Sequence, residues 1–422
     1  MNQVHAPSVA TNIVIVGGGA AGIAVAASLR ARRQSLRITI IEPSESHYYQ
    51  PGWTLVGGGV MAQNVTQRAT ASLIPPSVDW RRAAVTGFEP AQNSVLLDDG
   101  STVPYDMLIV APGIKLDWAA IDGLPETLGQ NGVTSNYRFD LAPYTWALVE
   151  GLKRGKAIFT QPPMPIKCAG APQKALYLSC DEWFRNGVLK DIEVEFDNAG
   201  AVLFGVEAFV PALMEYIRKY DAALCFSSNL RAVDGPGKKA WFDVADEKGE
   251  TRRVEKSFDM IHICPPQTAP DFVRDSPIAD AAGWVEVDQE TLQHTRFANI
   301  FGLGDACSAP NAKTAAAVRK QAPVVAENVL AVIDGKTPDA IYDGYGGCPL
   351  TVERGKIVLA EFSYGGKLAP TFPFLDPTKP SRLAWFLKEK LLPPVYWNVM
   401  LKGREWLVKP DHRQTLGQQP GQ

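Results

Sequence analysis

The chain has 422 residues, 46% of them hydrophobic, enough to bury a large core and, at ~100–200 residues per domain, to form two or three domains. A net charge of -3 provides no global basic field for nucleic acid, and six scattered cysteines in a chain this long do not make a disulfide scaffold. No run of 18 or more apolar residues occurs, which excludes an ordinary spanning helix, and there is no zinc-ligand spacing or internal repeat. The opening residues lack a charged segment followed by a cleavable apolar stretch, so export by that route is not expected.

In chain order, the first expected element is a buried strand over Thr11 to Val16, followed by Gly17, Gly18, Gly19, Ala20, Ala21 and Gly22 and a helix through Arg30. This is GxGxxG in the context that gives it meaning. Gly17 and Gly19 permit a tight turn and close approach of a pyrophosphate, Gly22 lets the helix pack on the strand, and the helix N-terminus, with Ala20 and Ala21, faces the phosphates. A second strand, Arg37 to Ile41, ends at Glu42, where a carboxylate can hold a ribose diol. Further along, Tyr105 to Val110 is a strand running into Ala111, Pro112 and Gly113, and Asn299 to Phe301 is a strand running into Gly302, Leu303, Gly304 and Asp305.

These later segments resemble the second and third flavin motifs of the pyridine nucleotide-disulfide reductase superfamily. The resemblance implies that Asp305 binds the ribityl chain of FAD and that a helix opening near Lys313 and Thr314 points at the isoalloxazine. The expected fold is therefore α/β, with two Rossmann-like dinucleotide-binding-type domains, the second inserted in the first, and a C-terminal membrane-associating region. The expected boundaries are 1–115 with 285–345 for the FAD domain, 116–284 for the inserted domain, and 346–422 for the C-terminal region. In that superfamily the inserted domain binds NAD(P)H through a second glycine motif. Here the strand Lys156 to Thr160 is followed by Gln161, Pro162, Pro163, Met164, Pro165, Ile166, Lys167 and Cys168, which cannot form a glycine cradle. The electron donor is expected to be something other than a nicotinamide.

Cys168 lies beside Lys167 and just ahead of an expected helix, Ala175 to Phe184, so a cation and a helix N-terminus both favour its thiolate. Cys348 is read in a loop, Tyr345 to Pro349, before a strand Lys356 to Phe362. Cys180, Cys225 and Cys264 read as small buried hydrophobes, and Cys307 as packing near the flavin motif.

The strings KCAGAPQK and DGYGGCPL, with SPIADAAGWVEVDQETLQHTRFANIFGLGDA and KTAAAV, resemble sulfide:quinone oxidoreductases, particularly the branch that includes the mitochondrial enzyme. The resemblance implies a redox pair of Cys168 and Cys348, FAD as cofactor and no metal. It implies that sulfide opens the disulfide to leave a persulfide on Cys348 and a thiolate on Cys168, from which the flavin takes electrons. The sulfane sulfur would pass to sulfite, a thiol or another sulfide, and the electrons to a membrane quinone, with Lys313 stabilising charge on the reduced flavin. Some branches hold FAD through a further cysteine, but Leu116 to Tyr144 contains none, so noncovalent FAD is expected.

The C-terminal end is basic, +5 between Lys379 and Arg413 against -8 for the rest. Ser381 is read as the cap of an amphipathic helix carrying Leu383, Phe386, Leu387 and Leu391 with Lys388 and Lys390 alongside, broken by Pro393 and Pro394, with a second aromatic stretch from Val395 to Leu407. Peripheral contact with a membrane is expected, at the cytoplasmic face of the inner membrane; a homo-oligomer seam is the competing use of these helices. Phe362, Tyr364, Phe372, Phe374 and Trp397 are candidates to line a quinone pocket. The alternative readings are a type 2 NADH:quinone dehydrogenase, which needs the second glycine motif, and a sulfur-sensing flavoprotein without turnover.

Overall fold

A computed structural model describes residues 11–310 and 312–413; the opening residues read above for an export signal lie outside them. Asn12–Val16 and Met107–Val110 carry continuous apolar runs, as expected where both faces of a parallel sheet are covered, while Arg37–Ile41 keeps some alternation through Arg37 and Thr39. They form a five-stranded parallel sheet in the order Ile300–Gly302, Met107–Val110, Asn12–Val16, Arg37–Ile41, Asp79–Arg81. The Ile300–Gly302 strand returns from nearly two hundred residues downstream to pair beside Met107–Val110. Two helices, Ala20–Arg32 and Ala315–Ile333, pack against each other on this sheet.

Between them a second sheet is inserted, with parallel strands in the order Val133–Thr134, Met260–His262, Gly155–Gln161, Ile192–Asn198, Ala223–Phe226. The crossings into and out of it run side by side, because Lys115–Leu116 pairs with Gln267–Thr268. A three-stranded antiparallel sheet, Ser228–Asp234, Lys239–Ala245 and Thr251–Ser257, extends the inserted part. The long helix after Gly155–Gln161 spans Ala171–Arg185, four residues earlier than the sequence suggests, since Pro172 fits the first turn where its missing N–H costs nothing.

The C-terminal part contributes a hairpin, Gly346–Glu353 with Lys356–Phe362, laid against the Ala171–Arg185 helix. Cys348 is therefore in a strand, paired with Ala360, and not in a loop. Gly346 and Gly347 extend the ladder and lie against Ala312 and Ala316, where a Cβ would stand 2.8 Å and 3.1 Å from the alanine methyls. After it, Ser381 caps a helix as expected, its Oγ accepting from Ala384 N–H at 3.3 Å. Pro393 and Pro394 do not end that helix. A π turn over Leu387–Leu391 frees carbonyls from the regular ladder, and the prolines fall in the first turn of Leu392–Asn398, where they are tolerated. Among the described residues no helix is long and apolar enough to cross a membrane.

Candidate functional site

The glycine turn expected to cradle a dinucleotide is built by backbone geometry. Gly17 has φ +101°, and a Cβ there would lie 2.4 Å from the Ala111 carbonyl oxygen, so the two loops meet closely only because residue 17 has no side chain. A Cβ on Gly22 would lie 1.8 Å from the Gly17 carbonyl oxygen. Gly19 and Gly113, by contrast, have nothing within 4 Å of where a Cβ would stand, which leaves an open lane beside the start of the Ala20–Arg32 helix. Glu42 Oε2 accepts from Gly18 N–H at 2.8 Å, fixing its carboxylate at the rim of the lane. Gly304 packs on Ala21, its notional Cβ 3.0 Å from the alanine methyl, so the late motif closes over the glycine loop. Asp305 is in the turn after Ile300–Gly302, and burial pushes its carboxyl above the ordinary range against the pull of Lys313 and Lys167. Thr314 caps the Ala315–Ile333 helix, Oγ1 accepting from Ala317 N–H at 3.2 Å. Gln321 bonds Gly304 N–H through its oxygen and keeps a buried amide nitrogen with no protein partner. Open glycine edges, a helix N-terminus and an unpartnered buried donor fit an extended anionic cofactor.

The two cysteines meet beside the segment that opens the Ala315–Ile333 helix. Cys168 Sγ and Cys348 Sγ are 3.3 Å apart, hydrogen-bonded and not bridged. Cys168 has φ +51°, a conformation uncommon for a residue with a side chain, and its loop is clamped on both sides. Its N–H donates to the Lys313 carbonyl at 2.9 Å, and its carbonyl accepts from Ala171 N–H at 2.7 Å. The first of these bonds joins the cysteine loop to the segment that opens the Ala315–Ile333 helix.

The cation at Cys168 is Lys174, whose Nζ lies 3.0 Å from the sulfur although the side chain is only 2% exposed. Lys167, the sequence neighbour, turns its ammonium to Gln50 Oε1 at 2.7 Å and between the rings of Trp53 and Tyr137. A lysine six positions on reaches the sulfur because Cys168 stands just ahead of the Ala171–Arg185 helix and Lys174 is in its first turns. The hydrogen bond with Cys348 and then the Lys174 charge hold the Cys168 thiol well below the ordinary thiol range, against burial. Cys348 is held well above it by the same hydrogen bond, by burial and by the charge on Cys168. The pair is thus split into a thiolate and a thiol. Burial alone depresses Lys174, and the two sulfurs more than reverse it.

Lys313 is buried with its ammonium donating to the carbonyls of Asp305, at 2.7 Å, and Cys307, at 3.2 Å, over the Trp284 ring. In this arrangement it ties the Asp305 turn to the helix opening. Cys307 and Cys180 are fully buried. Cys225 is half-buried with its thiol donating to Glu195, and Cys264 is buried, hydrogen-bonded to Tyr137 and near enough to Cys168 to feel its charge. The aromatic candidates are dispersed: Trp397 is 3% exposed against His47, Tyr49 and Arg68, Phe362 packs on Phe204, Tyr364 on Tyr342, and Phe372 on Phe374.

The chain is 40% identical over 93% of its length to the mitochondrial sulfide:quinone oxidoreductase of Mus musculus, 86% of which is covered. The chain belongs to the sulfide:quinone oxidoreductase family. The profile of the pyridine nucleotide-disulphide oxidoreductase family matches residues 11–148. Among solved structures, the sulfide:quinone oxidoreductase of Aquifex aeolicus has the same fold at 21% identity, TM-score 0.76, with 92% of each chain covered. A chain in the mitochondrial ATP synthase of Tetrahymena thermophila also shares it at 20% identity, TM-score 0.81, covering 96% of this chain and 99% of that one. Membership of the sulfide:quinone oxidoreductase family implies a flavin cofactor. Lys174, which closes the KCAGAPQK string that carries Cys168, was missed in reading the sequence for function, and Lys388, read with Lys390 as basic residues alongside the apolar face of the C-terminal helix, is instead buried on its inner side.

Proposed function

We propose that the chain oxidises sulfide through Cys168 and Cys348 and delivers the electrons to a membrane quinone. The observation that carries this reading is the pair of sulfurs 3.3 Å apart with Lys174 3.0 Å from Cys168. When the pair is bridged, hydrosulfide attacks the Cys348 sulfur, a new S–S bond forms there, and the bridging bond breaks with its electron pair going to Cys168. Attack in that sense is favoured because the more acidic thiol is the better leaving group, and Cys168 is the one held low. Lys174 neutralises the thiolate as it is released. A nucleophilic acceptor, sulfite or a thiol or a second sulfide, then takes the outer sulfur and leaves Cys348 as thiolate. FAD, bound noncovalently along Gly17, Gly19, Ala20, Ala21, Gly22, Glu42, Gly113, Gly304 and Asp305, supplies a two-electron acceptor for the cysteines and a donor to quinone. Thr314 and Lys313 hold the segment that carries the Cys168 hydrogen bond.

Contact with a membrane surface is supported by the exposure of Phe374, Leu383, Phe386, Leu391, Trp406 and Leu407 beside basic residues. The test is anaerobic addition of sulfide to the flavin-loaded protein, then a short-chain quinone, with NADH as control donor. Sulfide should bleach the flavin and quinone restore it, and Cys168→Ser and Cys348→Ser should abolish the first step. Bleaching by NADH and not by sulfide would instead support the dehydrogenase reading.

A further inference from the structure

The helix from Arg382 to Asn398 turns Leu383, Phe386 and Leu391 outward, at 46%, 49% and 41% exposure, yet buries Lys388 to 2%. That inverts the usual placement, in which an amphipathic helix keeps its lysines in water. Lys388 sits in the π turn Leu387–Leu391, a distortion of the kind common at functional sites. Its ammonium donates to the Pro51 carbonyl at 3.0 Å. The charged and titratable groups that act on it are Lys174, from the Ala171–Arg185 helix, and the two sulfurs, Cys168 from the loop ahead of that helix and Cys348 from the hairpin. No carboxylate is among them. Burial and the Lys174 charge depress Lys388 to about 7, while Cys168 and Cys348 pull the other way. A buried ammonium is costly without an anion, and the anion its surroundings supply is sulfur.

The short turn Gln50–Gly52 binds lysines from two directions. Pro51 holds Lys388 through its carbonyl, and Gln50 holds Lys167 through its side chain. Residue 167 is bonded in turn to the cysteine that follows it. The C-terminal helix and the redox loop are thus tied to one turn of three residues.

We propose that Lys388 is a positioning residue for the redox pair: carried in by the C-terminal helix, its ammonium joins Lys174 in stabilising Cys168 as a thiolate, so that the charge of the cysteine pocket depends on that helix being seated. The stoichiometry fits the reaction. Lys174 alone matches one anionic sulfur, whereas attack of hydrosulfide on the bridge leaves a thiolate on Cys168 and an acidic persulfide on Cys348, two sulfurs that two ammonium groups can accompany. This rests on the reading of Cys168 as the reactive thiolate.

The experiment measures alkylation of Cys168 by iodoacetamide in the reduced, flavin-loaded protein as a function of pH, mapped by mass spectrometry. Lys167, Asp305, Tyr137 and Cys264 also act on Cys168 or are acted on by it, and are left unchanged in every variant. Lys388→Met should raise the thiol midpoint by about one pH unit, a roughly tenfold slower reaction below the midpoint, as expected for loss of one nearby opposite charge. Lys388→Arg, which keeps the charge, should stay within a few tenths of a unit of the parent. An unmoved midpoint in Lys388→Met with the flavin spectrum intact overturns the proposal. So does an equal shift in Lys388→Arg, or a change confined to the flavin potential, which would put the ammonium against the flavin instead. If Lys388→Met does not fold, Gly403→Ala, which unseats the C-terminal segment from the first helix, should raise the same midpoint, and failure to do so also overturns it. The readout is thiol ionisation, not turnover, so failure of the sulfide reading in the bleaching experiment is seen separately.

Discussion

Gly170→Ala tests whether the close approach of the two cysteines depends on a missing side chain. Gly170 lies two residues after Cys168 on the turn that enters the Ala171–Arg185 helix. A Cβ at that position would stand 2.8 Å from Cys348 Sγ and 2.1 Å from Leu350 Cδ2. The leucine methyl is the end of a flexible side chain and can rotate away. The cysteine sulfur is bound to a paired strand and moves only if the hairpin moves. Because the turn carrying Cys168 and the strand carrying Cys348 face each other across this glycine, a methyl forces them apart. The sulfurs, 3.3 Å apart here, must close to about 2.05 Å to bridge. Overpacking of this kind costs about 1–3 kcal/mol, which for a two-electron couple corresponds to a bridge less stable by about 20–65 mV. The assay is a redox titration of the Cys168–Cys348 pair against a thiol buffer, read by counting labelled thiols in the flavin-loaded protein. Gly170→Ala should titrate at a higher potential and reoxidise more slowly. A potential equal to that of the parent, with Leu350 and the hairpin undisturbed, would refute the packing argument.

Lys174→Met removes the cation 3.0 Å from Cys168; its thiol midpoint should rise by about 2 pH units, measured by the pH dependence of alkylation, and the rate of sulfide-driven flavin bleaching should fall with the lost thiolate. The sign follows from the direction of the shift: a thiol whose ionisation is favoured on folding adds stability that is complete above its ordinary midpoint of 9.0 and is lost as pH falls from there through the lower folded midpoint. Lys174→Met should therefore flatten the stability profile below pH 9.0, between the ordinary and the folded thiol midpoints, in thermal unfolding. Gly403→Ala places a Cβ 2.7 Å from the Ala27 carbonyl in a left-handed residue of φ +65° and should cost about 1–3 kcal/mol, seen as a lower Tm and faster proteolysis after residue 381. Leu383→Asp with Phe386→Asp should reduce flotation with anionic vesicles while leaving the flavin spectrum unchanged, since both side chains face outward.

Much of the frame around the glycine turn was legible because its determinants are local. Gly17, Gly19 and Gly22 act through backbone conformation and clearance, and Glu42 follows its strand directly, so spacing alone carries the information. The same holds for the absence of a second glycine cradle after Gly155–Gln161, where three prolines occupy the place. Lys167 was the natural choice of cation for Cys168, being adjacent, but adjacency along an extended loop points successive side chains in different directions, and Lys167 reaches Gln50 instead. Pro393 and Pro394 read as breakers because sequence does not reveal that a π turn ahead of them places both prolines in a first turn.

By itself the sequence determined the dinucleotide fingerprint, the discontinuity of its motifs and the two cysteines that family strings single out, since each is set by short-range spacing or by residue identity. Tertiary structure decided how those cysteines differ from each other. Their 180-residue separation is closed by the hairpin docking on the Ala171–Arg185 helix, and the asymmetry between thiolate and thiol comes from Lys174 and from burial, which depend on distance and dielectric that no linear pattern encodes. The same is true of Lys388, whose inward direction is fixed by one π turn and the Pro51 carbonyl it meets.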